Sequence, residues 1–346
     1  MRTALFIGGT GTISMAIVRQ LARDPSWQVW LLNRGHRNDL VPENVKTITA
    51  DIHNEVEVAE TIKDMTFDVV CEFIGFVPED VERDYRLFKG KTRQYIYTSS
   101  ASAYHKPVSD WRITEGTALS NPYWEYSRNK IACEQFLMEK CQNEGFPVTI
   151  VRPSHTYDER ALPVSAHGKK GPWQVIKRIM EEKPVLIPGD GTSLWAVTFN
   201  RDFAVGYIGL MGNRHAIGEA FQITGDEELT WDQIYQTIAD ALHVPLHAYH
   251  VSSDFLAAVG DPLGYDYTGG LIGDKSNAVI FDNTKLKRIV PQMKTTIPFD
   301  QGVQICLDYV REHPECQVED PEFDAFCDRV VAALEKAKAE LLAGEK

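Results

Sequence analysis

The first apolar run of the chain, residues 4–7, closes on Gly8-Gly9-Thr10-Gly11 and is followed at once by an amphipathic stretch over residues 13–23. A strand that ends in clustered glycines and turns straight into a helix makes a compact crossover, and repeating it forces neighbouring strands to run parallel. The repeat is present. Apolar runs at residues 28–32, 46–49, 68–74, 94–98 and 148–151 alternate with helical patterns that include residues 56–62 and 122–141. Such alternation predicts an α/β fold, a doubly wound parallel sheet of the Rossmann type with helices on both faces.

After Pro153 the pattern loosens. Residues 161–172 read as a loop, 173–182, 201–211 and 231–242 as helices, and 184–187 and 196–199 as short strands. A glycine-rich stretch, residues 260–273, reads as a long loop of the kind that forms a lid or binding segment. At 346 residues the chain has material for one large domain and a smaller lobe. The expected division is a nucleotide-binding domain at 1–155 and a substrate lobe at 156–320 whose strands could return to the main sheet. A surface helix is expected at 321–346.

Bulk charge narrows the functional classes. With 36 basic and 49 acidic residues the net charge is −13, which argues against a nucleic-acid partner or an anionic-membrane surface. The six cysteines, Cys71, Cys133, Cys141, Cys306, Cys316 and Cys327, form no Cys-x-x-Cys pair, so neither a zinc site nor a disulfide framework is indicated and no metal is expected. The first apolar run is too short for a signal-peptide core, and a cytoplasmic protein is the expectation.

The glycine turn sits where backbone amides and a helix dipole can hold a pyrophosphate, which makes Gly8, Thr10, Gly11, Thr12 and Ile13 candidate cofactor contacts. A plain tight turn would look similar. Ser14 stands where a third glycine usually permits close helix–strand packing. At the end of the second strand, where an acidic residue would bind the ribose 2′-hydroxyl of NAD, the chain has Asn33-Arg34-Gly35-His36-Arg37. Asn33 repels no phosphate, and Arg34 and Arg37 can pair with one, so NADP is the expected cofactor and NAD the alternative. Solvated loop arginines would be the plainer explanation. Asp51 and Ile52, ending the third strand, are placed near the adenine, and Gly75 after the fourth strand would let the cofactor approach.

The most chemical feature is Tyr126-Ser127-Arg128-Asn129-Lys130. On a helix this spacing puts a phenol and an ammonium on one face, and a nearby cation favours phenolate, so Tyr126 is a candidate proton carrier. Upstream, residues 95–104 describe a strand ending in hydroxyls, Thr98-Ser99-Ser100, with Tyr104 beyond.

Glycine turn, hydroxyl-ended strand, Tyr-x-x-x-Lys and Val151-Arg152-Pro153, in that order, resemble the extended short-chain dehydrogenase/reductase family, the NAD(P)-dependent epimerase/dehydratase group, over residues 3–310. The resemblance implies that Tyr126 is the general acid/base and that Lys130 lowers its pKa and binds the nicotinamide ribose. It implies that Ser100, four residues before Tyr104, hydrogen-bonds the reacting oxygen, with Ser99 as fallback, and that Pro153 lies beside the nicotinamide. It also departs from the family in two places. Trp195 stands where nucleotide-sugar members carry a diphosphate-binding arginine, and Ala101-Ser102 replaces the Asp-Glu pair of dehydratases. Hydride exchange with an alcohol/carbonyl substrate is therefore the expected reaction. Sugar or nucleotide-sugar epimerisation through transient oxidation is the first alternative, and a non-catalytic dinucleotide-sensing or RNA-binding protein the second.

Position after strands or in the following loop nominates Phe76, His155 and Trp173 as substrate contacts, and the place of the family's arginine nominates Trp195, with packing the plainer reading of each. By analogy with relatives, the helix bearing Tyr126 and, further on, Phe136, Leu137 and Met138 could pair in a homodimer.

Overall fold

A computed structural model describes residues 1–35 and 40–344. Packing divides the chain into two units. The first comprises residues 1–156, 198–226 and 281–296; the second comprises 157–197, 227–280 and 297–346.

The first unit is built on β1 (Arg2–Ile7), β2 (Trp27–Asn33), β3 (Lys46–Thr49), β4 (Val69–Glu72) and β5 (Tyr95–Thr98). Two later strands, Val148–Pro153 and Glu219–Ile223, extend the same sheet beyond β5, giving seven parallel strands with β3 at one edge and Glu219–Ile223 at the other. Alternate side chains of each strand enter different cores, as the two-residue period of a strand requires. Ala4, Phe6, Val29, Leu31, Val69 and Cys71 pack with α1 (Ser14–Leu21) and with the helix Asn200–Leu210. Leu5, Ile7, Leu32, Val70, Tyr95 and Tyr97 pack on the other face, which α2 (Glu55–Thr61), α3 (Pro78–Phe88) and α4 (Glu125–Glu144) cover. The sheet is doubly wound.

Helix α3 escapes an apolar-periodicity reading because Asp80, Arg83 and Asp84 lie on its buried side alongside Val81, Leu87 and Phe88. Its core-facing stripe is half charged.

In the second unit, Val185–Pro188 pairs in parallel with Ala248–Val251, and the helices Trp173–Met180, Trp231–Leu242, Ser253–Gly260, Phe299–Glu312 and Pro321–Ala343 surround them. Two expectations are corrected here. The stretch 260–273 is not one long loop: a 3₁₀ turn forms at Asp261–Leu263, and a π-helix begins at Thr268 and runs to Lys275. The Asp261 carboxylate starts the second element by accepting the amides of Tyr267 and Thr268. The last helix is also more than a surface element. Phe323, Phe326, Cys327 and Val330 bury its first turns, and the buried Arg178 pairs with Asp324 at 2.6 Å and Asp328 at 2.8 Å. Among the described residues, no helix is long and apolar enough to cross a membrane.

Candidate active site

The parallel sheet brings the ends of β1, β2, β3 and β4 to one edge, where loops can surround a ligand. A cavity of about 520 Å³ opens there. Gly8, Thr10, Gly11, Asn33, Arg34, Asp51, Ile52 and Phe76, all candidates from the sequence, line it. Its size falls within the range of small-molecule sites, roughly 300–1,000 Å³.

The glycine turn is shaped for close approach. Gly8 has a positive φ of 79°, and a Cβ built there would lie 2.4 Å from Ile74 Cγ2, so a side chain is excluded both by conformation and by space. Ser14 does more than fit. Its hydroxyl donates to the Gly8 carbonyl at 2.8 Å and accepts the Gly11 amide at 3.0 Å, tying both ends of the turn to the start of α1. Thr12 and Ile13 do not line the cavity: the Thr12 carbonyl accepts Asn200 Nδ2 at 2.9 Å, and Ile13 packs against the core beside α1.

At the β2 end the Asn33 side chain accepts the Gly35 amide at 2.8 Å, which sets the path of the loop that carries Arg34. Arg34 is exposed. Arg37 lies outside the described residues. Asp51 accepts both the backbone and the ring nitrogen of His53 at 3.0 Å, and the backbone bond is the main reason its carboxyl is held below the usual carboxylate range. Six cavity residues were not among the sequence candidates, Leu32, Gly35, Ala50, His53, Ile74 and Asp80, and of these His53 and Asp80 carry polar side chains. His53 directly follows Asp51-Ile52, and Asp80 sits two residues after a helix-starting Pro78, so both had a local signal. The Asp80 carboxylate accepts the amides of Phe76 at 2.9 Å and Val77 at 3.3 Å, folding the loop after β4 back onto α3.

Tyr126 lies in the first turn of α4, half-buried, with its ring 4.9 Å from that of Trp124 and 6.4 Å from that of Phe76. Phe76, 47% exposed, thus connects Tyr126 to the cavity wall. Lys130 is one turn further on and only 2% exposed. Its Nζ donates to the carbonyls of Gly75 and Thr98, both at 2.8 Å, and lies 5.8 Å from the centre of the Tyr126 ring. Burial lowers its pKa to about 8. Gly75 itself sits between two cavity residues; a Cβ there would lie 3.3 Å from both Glu72 Cγ and Tyr97 Cε2.

Ser100 follows β5, half-buried, and caps a 3₁₀ turn at Ala101–Ala103. Pro153 is buried at the end of its strand, in register with Ile223. Of the substrate candidates, Phe76 borders the cavity, and His155 is half-buried in the first unit. Trp173 belongs to the second unit, where it lines a small cleft with Arg160 and Cys306. Trp195 is corrected to a packing residue: it is 3% exposed and its ring stacks on Trp231 at 5.7 Å.

The fold and this cavity define a parallel α/β protein with a nucleotide-type crevice at the carboxyl ends of its strands. Residues 4–224 match the NAD dependent epimerase/dehydratase family, and the chain belongs to that family. It is 23% identical over 258 residues to the 2'-dehydrokanamycin reductase of Streptomyces kanamyceticus, covering 73% of this chain and 70% of that protein. It is 26% identical over 250 residues to the chloroplast stem-loop binding protein of 41 kDa b of Arabidopsis thaliana, covering 68% and 62%. Among solved structures, the UDP-glucuronic acid 4-epimerase of Bacillus cereus, determined with UDP-glucuronic acid and NAD, superposes with a TM-score of 0.70 at 18% identity, covering 90% of this chain and 99% of that one. That likeness concerns the fold.

Proposed function

We propose that the protein is an NADP-using oxidoreductase that exchanges a hydride with an alcohol/carbonyl substrate, with Ser100, Tyr126 and Lys130 as its catalytic residues. The observation that carries this reading is the placement of Tyr126 and Lys130 against the loop Ile74–Gly75–Phe76, which also walls the cavity. A glycine turn that excludes a Cβ, an edge cavity of dinucleotide character and an arginine at the β2 end fit a nicotinamide dinucleotide phosphate.

When bound, that cofactor supplies or accepts the hydride. The residues of the chain do the rest. Tyr126 gives its hydroxyl proton to the carbonyl oxygen in reduction, or takes one from the alcohol in oxidation. Lys130, held by two carbonyls beside the ring, favours the phenolate while it carries its proton. Ser100 donates a hydrogen bond to the same oxygen as charge develops there. Arg34 pairs with the 2′-phosphate and distinguishes NADP from NAD.

Epimerisation of a sugar is the second reading, favoured by membership of the epimerase/dehydratase family. The test is NADPH and NADH consumption with ketones and keto-sugars, 2'-dehydrokanamycin among them, beside a gel shift with RNA. Net NADPH consumption supports the reductase. Substrate isomerisation without net consumption would favour the epimerase, and an RNA shift without turnover would favour a binding protein.

A further inference from the structure

Three serine hydroxyls of the first unit lie in series. Ser127, fully buried on α4 next to Tyr126, donates its proton to Ser102 Oγ at 2.8 Å, and Ser102 Oγ lies 2.9 Å from Ser100 Oγ. The Ser102 amide also donates to Ser100 Oγ, at 3.2 Å, and Asn121 Nδ2 holds the Ser102 carbonyl at 2.9 Å, so the middle member is fixed from several sides. Ser102 and Asn121 are almost wholly buried.

A hydroxyl has one proton to give and two lone pairs with which to accept. Ser127 spends its proton on Ser102. Among the described residues, the Ser102 hydroxyl has only the oxygens of Ser127 and Ser100 within hydrogen-bonding distance, and the first is already donating to it. Its proton therefore goes to Ser100. Ser100 then accepts from both the amide and the hydroxyl of Ser102, and its own proton is left to point away from the protein, at the half-exposed end of the series. Hydrogen bonds in such a chain polarise one another in one direction, which strengthens the terminal donor.

We propose that Ser102 and Ser127 are positioning residues that set Ser100 as a one-way hydrogen-bond donor, so that the ligand atom it meets is an oxygen acceptor, a carbonyl or the alkoxide formed from it. This rests on the reading of Ser100 as the residue facing the reacting oxygen. The chain occupies the place of the missing acidic pair: Ser102 contributes no acid or base, and acts only through the orientation of Ser100.

Neutron diffraction from deuterium-exchanged crystals of the whole protein tests the orientation without any substrate. The expected map shows the Ser127 deuteron directed to Ser102, the Ser102 deuteron to Ser100, and the Ser100 deuteron away from both. A Ser100 deuteron directed at Ser102 would overturn the proposal. The functional arm uses NADPH and whichever keto compound the wild type reduces. Ser127→Ala is expected to lower kcat roughly fivefold, the equivalent of one neutral hydrogen bond, with the KM for NADPH unchanged and with recovery in Ser127→Thr. In a Ser100→Ala background the same Ser127→Ala change is expected to have no further effect on kcat, because its action runs through Ser100. An equal loss in both backgrounds would show a merely structural serine and refute the positioning role. If no keto compound is reduced by the wild type, the oxidoreductase reading fails, while the neutron map still decides the direction of the hydroxyls.

Discussion

Lys130 Nζ donates to the carbonyl oxygen of Gly75 across 2.8 Å, so the loop that walls the cavity is bonded to the helix that carries Tyr126. The same carbonyl accepts the Tyr97 hydroxyl at 3.0 Å, which fixes the loop to β5 as well. A single backbone oxygen thus couples three elements that must keep register if a phenol is to face a bound ligand. Burial of the ammonium is the cost of this arrangement, and it shows in the lowered pKa.

That lowering predicts a pH limb. In the free enzyme Lys130 carries its proton below about pH 8 and loses it above, so kcat/KM should fall as pH rises through about 8. Because the folded value lies below that of an unfolded lysine, the unfolded chain binds more protons between the two, and the Lys130 contribution to stability rises with pH over that window. A kcat/KM profile flat to pH 10 would contradict the assignment of a charged Lys130 to the mechanism.

Arg34 lies exposed on the rim of the cavity at the end of β2. Arg34→Leu is expected to weaken NADPH binding about tenfold, the scale of one solvent-accessible charge-assisted contact, and to leave NADH binding unchanged. Fluorescence titration with both cofactors measures the two affinities on one sample. Equal weakening of both would remove Arg34 from cofactor discrimination.

Glu72, at the end of β4, is fully buried; burial first and the neighbouring Asp84 second push its carboxyl well above the usual range. The folded protein therefore holds a proton there that the unfolded chain releases, and stability falls as pH rises from the ordinary glutamate range upward. Glu72→Gln keeps an acceptor for the Ile74 amide and removes the ionisation. Thermal unfolding of Glu72→Gln should match the wild type near pH 5 and exceed it at pH 8. A variant less stable at pH 8 than the wild type would show that Glu72 is ionised in the folded protein.

Arg152 and Glu134 form a buried pair, with guanidinium nitrogens 2.6 Å, 3.0 Å and 3.2 Å from the carboxylate, and the guanidinium lies over the Tyr104 ring at 4.9 Å. Removing one partner leaves an uncompensated buried charge. Arg152→Met should destabilise by about 3–5 kcal/mol, and adding Glu134→Met should restore much of the loss. Urea unfolding of the single and double variants measures both. A double variant as unstable as Arg152→Met alone would mean that packing around the guanidinium, rather than charge, dominates.

The sheet was legible because parallel strands buried on both faces read as apolar runs, and the short turn between β1 and α1 left glycine as its signature. The cavity lining followed from the ends of those runs: Asn33 closes β2, and Gly8, Arg34, Asp51 and Phe76 stand within four residues after a strand. Helix α3 was not legible, since its buried stripe carries Asp80, Arg83 and Asp84, whose ion pairs replace apolar contacts and leave no periodic pattern. That later strands could return to the main sheet was an expectation, but which one does was not legible: Glu219–Ile223 pairs with Val148–Pro153 some seventy residues upstream, which no local propensity encodes. Nor could spacing alone show that Trp195 stacks on Trp231 rather than facing a ligand. The serine series was hidden for the same reason: Ser127 is separated from Ser102 by 25 positions and meets it only when α4 packs on the turn after β5.

The most direct test of the account is Tyr126→Phe, with NADPH affinity and NADPH oxidation measured on the same preparation and the keto substrate that serves the wild type. The expected result is unchanged NADPH binding with turnover lower by about 10²–10⁴-fold, the contribution of a positioned proton donor. Turnover at the wild-type rate with the phenylalanine in place would contradict the claim that this phenol carries the proton.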